Sequence, residues 1–225
     1  MGYYRSNIPR VTKTLIIINV FVFVATLVNS DAVCRSFALF YPTSRMFRFW
    51  QPLTYMFVHG GFWHILFNMY TLYIFGSVVE NMIGERKYLL FYLVCGIGAA
   101  ACQIGVQAIE MSQYAEGVAL GNQNSVAAMA ALKMTPTVGA SGAIYGLLLA
   151  YAMLFPDSRL TLLFPPVTLS AKWMVIIFAG IELLTGVTGT SAGVAHFAHL
   201  GGMIFGFGLI KYWKNKGNLF DRRSF

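Results

Sequence analysis

The stretch Gly139-Ala140-Ser141-Gly142-Ala143-Ile144-Tyr145-Gly146 sets a hydroxyl nucleophile among small residues. Glycines on both sides leave the Ser141 backbone open to close approach, and Gly142 and Gly146 offer a small-xxx-small face on which another helix packs tightly. Tyr145, four residues on, shares the helix face of Ser141. Two readings of Ser141 stand at this point: a nucleophile, or a hydroxyl bonded back to its own helix, as membrane serines commonly are.

Two histidine elements bear on that choice. His64 and Asn68, spaced i, i+4 within His59-Gly60-Gly61-Phe62-Trp63-His64-Ile65-Leu66-Phe67-Asn68, project from one helix face and could aim two donors at one point. Their alternative role is hydrogen-bonded glue between packed spans. His199, Gly202 and Gly206, spaced i, i+3, i+7, form a face that would carry an imidazole against the glycines beside Ser141.

A serine needs a base to attack at neutral pH, and acyl transfer needs donors aimed at the developing oxyanion. No acidic residue near His199 is evident in the sequence. The expected machinery is therefore a Ser-His dyad, with Ser141 as nucleophile and His199 as general base. The Ser141 backbone N–H and the side chains of His64 and Asn68 are the expected oxyanion donors, and Tyr145 is expected to pack against the imidazole. His196, one turn from His199, is a rival base. All four histidines, His59, His64, His196 and His199, fall in two helices and offer a rival metal site, but they lack cysteine or carboxylate partners.

These residues need a scaffold at membrane depth. Of 225 residues, 57% are hydrophobic and 11% charged, against roughly a quarter charged in soluble domains. Apolar runs near 12–28, 60–79, 88–110, 139–155, 171–189 and 193–213 are each long enough to cross a hydrocarbon core. The expectation is an all-α membrane protein, a compact bundle of six transmembrane helices forming a single domain over residues 1–225. Twelve of the 16 basic residues fall on one side of that arrangement, and Arg35, Arg45, Arg48 and Lys133 on the other. The positive-inside rule then places the N- and C-termini in the cytoplasm. The first run is read as a retained span rather than a signal peptide, since it has no convincing cleavage site.

In that orientation His64 and Asn68, Ser141, and His199 all fall in the outer-leaflet half. Unrelated packing residues would not need to agree in depth, so the coincidence favours one polar site. Glu182, inside the fifth span, is a functional candidate or a hydrogen-bonded structural group, and the sequence does not name its partner. Glu80 is read as an interfacial pair or cap. The aromatic outer segment 31–58 is expected to lie in the membrane interface, and 112–138 is expected to be a polar, mobile loop. The net charge of +8 reads as topology and attraction to anionic lipid, with no nucleic-acid partner. Three cysteines, Cys34, Cys95 and Cys102, offer no disulfide framework.

These motifs resemble the rhomboid family of intramembrane serine proteases. The family's Gly-x-Ser-Gly nucleophile pattern matches Gly139 to Gly142, with its following tyrosine at Tyr145. The His-xxx-Asn element matches His64 and Asn68, and the Ala-His-xx-Gly element matches Ala198, His199 and Gly202. The resemblance implies a six-helix core that cleaves transmembrane helices of other proteins near the outer membrane surface, without metal or cofactor. It also implies a substrate bound beside a mobile fifth span, with a small residue before the scissile bond. A bacterial inner membrane fits the short loops. A proteolytically inactive, helix-binding scaffold is the other function open to such a chain. One departure concerns the first outer loop, where the family's Trp-Arg pair is here Trp50-Gln51; Arg48 is the candidate substitute anchor.

Overall fold

A computed structural model describes residues 8–162, 166–189 and 195–220. The chain runs α1 (Arg10–Val28), α2 (Ser30–Phe37), α3 (Gln51–Thr54) with a 3-10 turn at Tyr55–Phe57, and α4 (Phe62–Thr71). A π turn at Leu72–Gly76 leads from α4 into α5 (Ser77–Ile83). There follow α6 (Glu85–Ala119), α7 (Gln123–Met134), α8 (Ser141–Leu154), α9 (Ala171–Thr188) and α10 (His196–Asn215). Between α8 and α9 a small antiparallel hairpin pairs β1 (Arg159–Thr161) with β2 (Thr168–Ser170).

Four continuous helical stretches, Arg10–Val28, Phe62–Ile83, Glu85–Ala119 and Ala171–Thr188, are long and apolar enough to cross a membrane. The shorter apolar helix α8 and the 20-residue α10 pack among them. Each apolar run of the sequence thus falls on a helix, with residues 193 and 194 of the last run outside the described residues. Large apolar side chains such as Phe21, Val28, Phe67, Leu184 and Val187 stand exposed on the bundle. The protein is a multi-pass integral membrane protein, and those side chains are the surface a bilayer would cover.

The core of the bundle is α6, α8 and α10, and small residues set their spacing. A Cβ on Gly202 would lie 1.8 Å from the Gly142 carbonyl oxygen, and one on Gly146 would lie 2.6 Å from Cys95 Sγ. No side chain fits between α8 and α10 at that separation. The face beside Ser141 and the face bearing His199 therefore meet.

Glu80 caps a different helix from its own. Its Oε1 accepts the Val11 N–H at 2.9 Å, and its Oε2 accepts the Thr12 N–H and the Thr12 hydroxyl, both at 2.7 Å. The residue before α1 is Pro9, which supplies no side-chain cap. The carboxylate of α5 thus satisfies two of the free N–H groups at the start of α1.

The segment between α2 and α3 is anchored by Gln51 itself. That side chain is fully buried; its Oε1 accepts from Arg48 N at 3.1 Å and Phe40 N at 3.4 Å. Its Nε2 donates to Met46 O at 2.9 Å and Arg35 O at 3.2 Å. The Arg48 guanidinium stays exposed and bonds only the neighbouring carbonyls of Arg45 and Phe47. An amide suffices here because the loop presents both donors and acceptors, and an amide offers both where a guanidinium offers only donors.

The segment 112–138 is not a loop. α6 continues through Ala119, a turn at Gly121 with φ 81° follows, and α7 begins under an Asn122 cap on the Asn124 N–H. Its alanines are the strongest helix formers, and their polar neighbours mark a wet face rather than disorder. From α7 the chain runs extended toward Ser141. Leu39 and Thr137 exchange backbone bonds at 3.0 and 2.8 Å, and Gly139 N donates to Tyr55 O at 3.0 Å. The segment from Leu39 to Tyr55 thereby fixes the approach to Ser141.

Candidate active site

Ser141 is the first residue of α8, so its N–H is among those with no intrahelical acceptor. Gly139, two residues earlier, has φ 119°, a conformation that side chains rarely adopt. A Cβ there would lie 2.7 Å from His64 Nε2 and 3.7 Å from Ser141 Oγ. The glycine is what lets the His64 ring reach the serine.

His199, in the first turn of α10, is buried, and its Nε2 lies 2.7 Å from Ser141 Oγ. Its ring stacks on Tyr145 with centroids 4.3 Å apart and planes 4° from parallel. Ser141 is thus bonded across helices, to an imidazole held flat against an aromatic face. His196, the rival base, turns elsewhere: its Nδ1 is 2.6 Å from Glu182 Oε2 and 3.1 Å from Thr185 Oγ1.

The structure supplies the acidic neighbour that the sequence does not reveal. Glu182 of α9 is buried; its Oε1 accepts the Tyr145 hydroxyl and lies 3.0 Å from His199 Nδ1. That last approach lies off the N–H axis, so it is a close charge contact rather than an aligned hydrogen bond. The expectation that no acidic residue stands near His199 is therefore corrected. A signal for it existed: Glu182 lies in the half of its span level with Ser141, at the depth shared by the other motifs.

His64 Nδ1 faces the Gly60 N–H at 3.4 Å, which leaves its Nε2 as the protonated nitrogen on the Ser141 side. His59 is buried behind it, the two rings edge to face at 5.0 Å. Asn68 is buried, and Nδ2 donates to the His64 carbonyl at 2.8 Å, which uses one of its two amide hydrogens. Among the described residues the four histidines do not form one cluster of ligand atoms. A different trio does cluster: one ligand atom each from Glu182, His196 and His199, all within 4.8 Å of one another.

Two spaces meet at Ser141. A cavity of about 970 Å³ is lined by Ser141, His199 and His64 together with Gln103, Gln107, Glu110 and Tyr114 of α6. A groove of about 390 Å³ runs beside Ser141, Tyr145 and Asn68 and is walled by Trp63, Phe67, Ile144, Leu148 and Phe178. The first has the polar groups that hold water; the second is an apolar furrow between α4, α8 and α9.

The rhomboid domain profile matches residues 46–215. The chain is 29% identical over 172 residues to the mitochondrial presenilin-associated rhomboid-like protein of Homo sapiens, covering 71% of this chain and 38% of that protein. It is 27% identical over 209 residues to rhomboid protease AarA of Providencia stuartii, covering 87% and 69%. With rhomboid protease GluP of Bacillus subtilis it shares 28% over 158 residues, covering 70% and 25%. The chain spans well under half the length of the mitochondrial relatives it matches. The glycine-spaced serine helix, the histidine helix packed on it and a profile match over most of the chain lead to one conclusion: this protein belongs to the rhomboid family, which includes intramembrane serine proteases.

Proposed function

We propose that the chain is an intramembrane serine endopeptidase that hydrolyses peptide bonds in or near the transmembrane helices of other membrane proteins. The observation that carries this reading is the 2.7 Å contact of Ser141 Oγ with His199 Nε2 where a polar cavity and an apolar groove meet. The bundle spans the bilayer six times with both termini cytoplasmic, and the site opens to the extracytoplasmic side of a bacterial inner membrane. The distribution of basic residues and the two bacterial protease relatives support that placement.

A substrate helix unwinds from the lipid through the groove beside α9 and brings its scissile carbonyl to Ser141. Ser141 Oγ attacks while His199 Nε2 takes its proton, and the carbonyl oxygen becomes an oxyanion. The Ser141 N–H, His64 Nε2–H and the second amide hydrogen of Asn68 are donors for that charge. The intermediate collapses as His199 returns the proton to the leaving amine. Water from the polar cavity then attacks the acyl-enzyme, with His199 again as base, and frees the acid product. Gly139, Gly142 and Gly202 support the site by permitting these approaches, and no metal or cofactor takes part.

The test is cleavage of tagged single-span substrates by the protein in liposomes. Cleavage is expected for the wild type, lost in Ser141→Ala and insensitive to chelators. Chelator-sensitive cleavage would instead favour a metal reading on the Glu182, His196 and His199 cluster. A protein that neither cleaves nor reacts with a fluorophosphonate at Ser141 would be a helix-binding scaffold.

A further inference from the structure

The geometry points to Glu182 as a positioning residue that turns the Ser141–His199 pair into a Ser-His-Glu relay, with Tyr145 and His196 holding the carboxylate in place. This inference rests on the protease reading and deepens it.

Glu182 is a buried carboxylate in a span where an unpaired charge is expensive, so it must be met by donors. They come from two other helices. Tyr145 of α8 donates its hydroxyl to Oε1, and His196 of α10 faces Oε2 through Nδ1 at 2.6 Å. A carboxylate only accepts, so His196 carries its proton on Nδ1. Thr185, one turn along α9, meets the same nitrogen at 3.1 Å. These contacts pin both oxygens.

The pinned Oε1 then stands 3.0 Å from His199 Nδ1. That neighbour favours the tautomer with its proton on Nδ1, which leaves the Nε2 lone pair facing Ser141 Oγ at 2.7 Å. When His199 takes the serine proton it becomes an imidazolium, and the buried carboxylate at 3.0 Å compensates the new charge. Tyr145 serves twice, packing the imidazole from its face and holding the carboxylate at its edge. Because Glu182 reaches these groups from α9, the relay is complete only while α9 is seated against α8 and α10. α9 also walls the apolar groove through Phe178. Substrate entry beside α9 and readiness of the base are therefore mechanically linked.

The experiment uses the full chain in liposomes, with the rate of fluorophosphonate labelling at Ser141, cleavage of a quenched transmembrane peptide, and Tm. Glu182→Gln keeps the shape and removes the charge. The expected result is a kcat lowered roughly tenfold to a hundredfold, below the loss for an aligned triad acid because the contact is off axis. KM and Tm should stay near wild type, and labelling should slow in step with kcat. Glu182→Asp, which keeps the charge one methylene further back, should recover part of the kcat. Wild-type kcat in Glu182→Gln, or a loss shared equally by Gln and Asp and tracking a fall in Tm, would overturn the relay while leaving the protease reading intact. If Glu182→Gln does not fold, Tyr145→Phe carries the test, because it keeps the ring on His199 and removes the hydroxyl that holds Oε1; a lowered kcat at unchanged KM and Tm is expected, and a wild-type kcat overturns the relay. A wild-type protein that neither labels nor cleaves overturns the protease reading and the relay with it.

Discussion

Two buried carboxylates sit in this bundle, and they are used in opposite ways. Glu80 is closed off: its oxygens take the Val11 and Thr12 N–H groups and the Thr12 hydroxyl, donors that do not change protonation in any reaction, with the Tyr88 hydroxyl 3.0 Å from Thr12. Glu182 is surrounded by Tyr145, His196 and His199, and His199 in turn lines a cavity. Burial is similar, 2% and 7% exposed, so burial does not separate structure from chemistry. What separates them is the kind of donor: fixed backbone N–H groups make a clamp, whereas imidazoles beside a cavity are groups that can move protons.

The largest effect is expected from Ser141→Ala, which should lower cleavage by at least about 10⁴-fold with Tm unchanged, since the Glu182 cluster without its nucleophile has nothing to activate. Residual cleavage near wild type would move the chemistry elsewhere. Next, His199→Ala should lose activity to a similar extent while His196→Ala keeps measurable cleavage, read from initial rates on one substrate; the reverse pattern would make His196 the base. His64→Ala should lower kcat by about a hundredfold, the usual effect of removing one oxyanion donor. The smallest catalytic effect belongs to the other carboxylate. Glu80→Gln should leave kcat within about twofold but destabilise by about 2 kcal/mol, because an amide nitrogen then faces donors it cannot accept from. Thermal unfolding in detergent and kcat on the same preparation decide it, and a lost kcat at unchanged Tm would erase the contrast.

Gln51 is a buried polar clamp away from the site. Gln51→Ala would leave the buried Phe40 N–H, the part-buried Arg48 N–H and the carbonyls of Arg35 and Met46 short of partners, a loss of about 1–3 kcal/mol measured by unfolding. Arg48→Ala should be close to neutral in the same measurement, since its guanidinium is exposed and bonds only its neighbours.

Much of the site was legible in the chain because spacing along a helix is geometry. The i, i+4 separation of His64 and Asn68, and the i, i+3 separation of His199 and Gly202, put each pair on one face before any packing is known. Glycine faces state where helices approach, and the pairing of Gly142 with Gly202 realises that. The polarity of segment 112–138 suggests a mobile loop, while its alanines and the Asn122 cap favour the helix that forms there.

The chain's own pattern gives the apolar helices, the residues that share each helix face and the candidate serine, histidine and amide side chains of the site, since all of these follow from local periodicity and side-chain chemistry. Only the tertiary structure decided which oxygen each donor meets. It put Glu182 against His199 rather than leaving it with its own helix, gave His196 to Glu182 rather than to Ser141, and made Gln51 the anchor of the segment between α2 and α3. Such contacts join residues on different helices, and their distances depend on how far apart two backbones settle, which no spacing within one helix encodes.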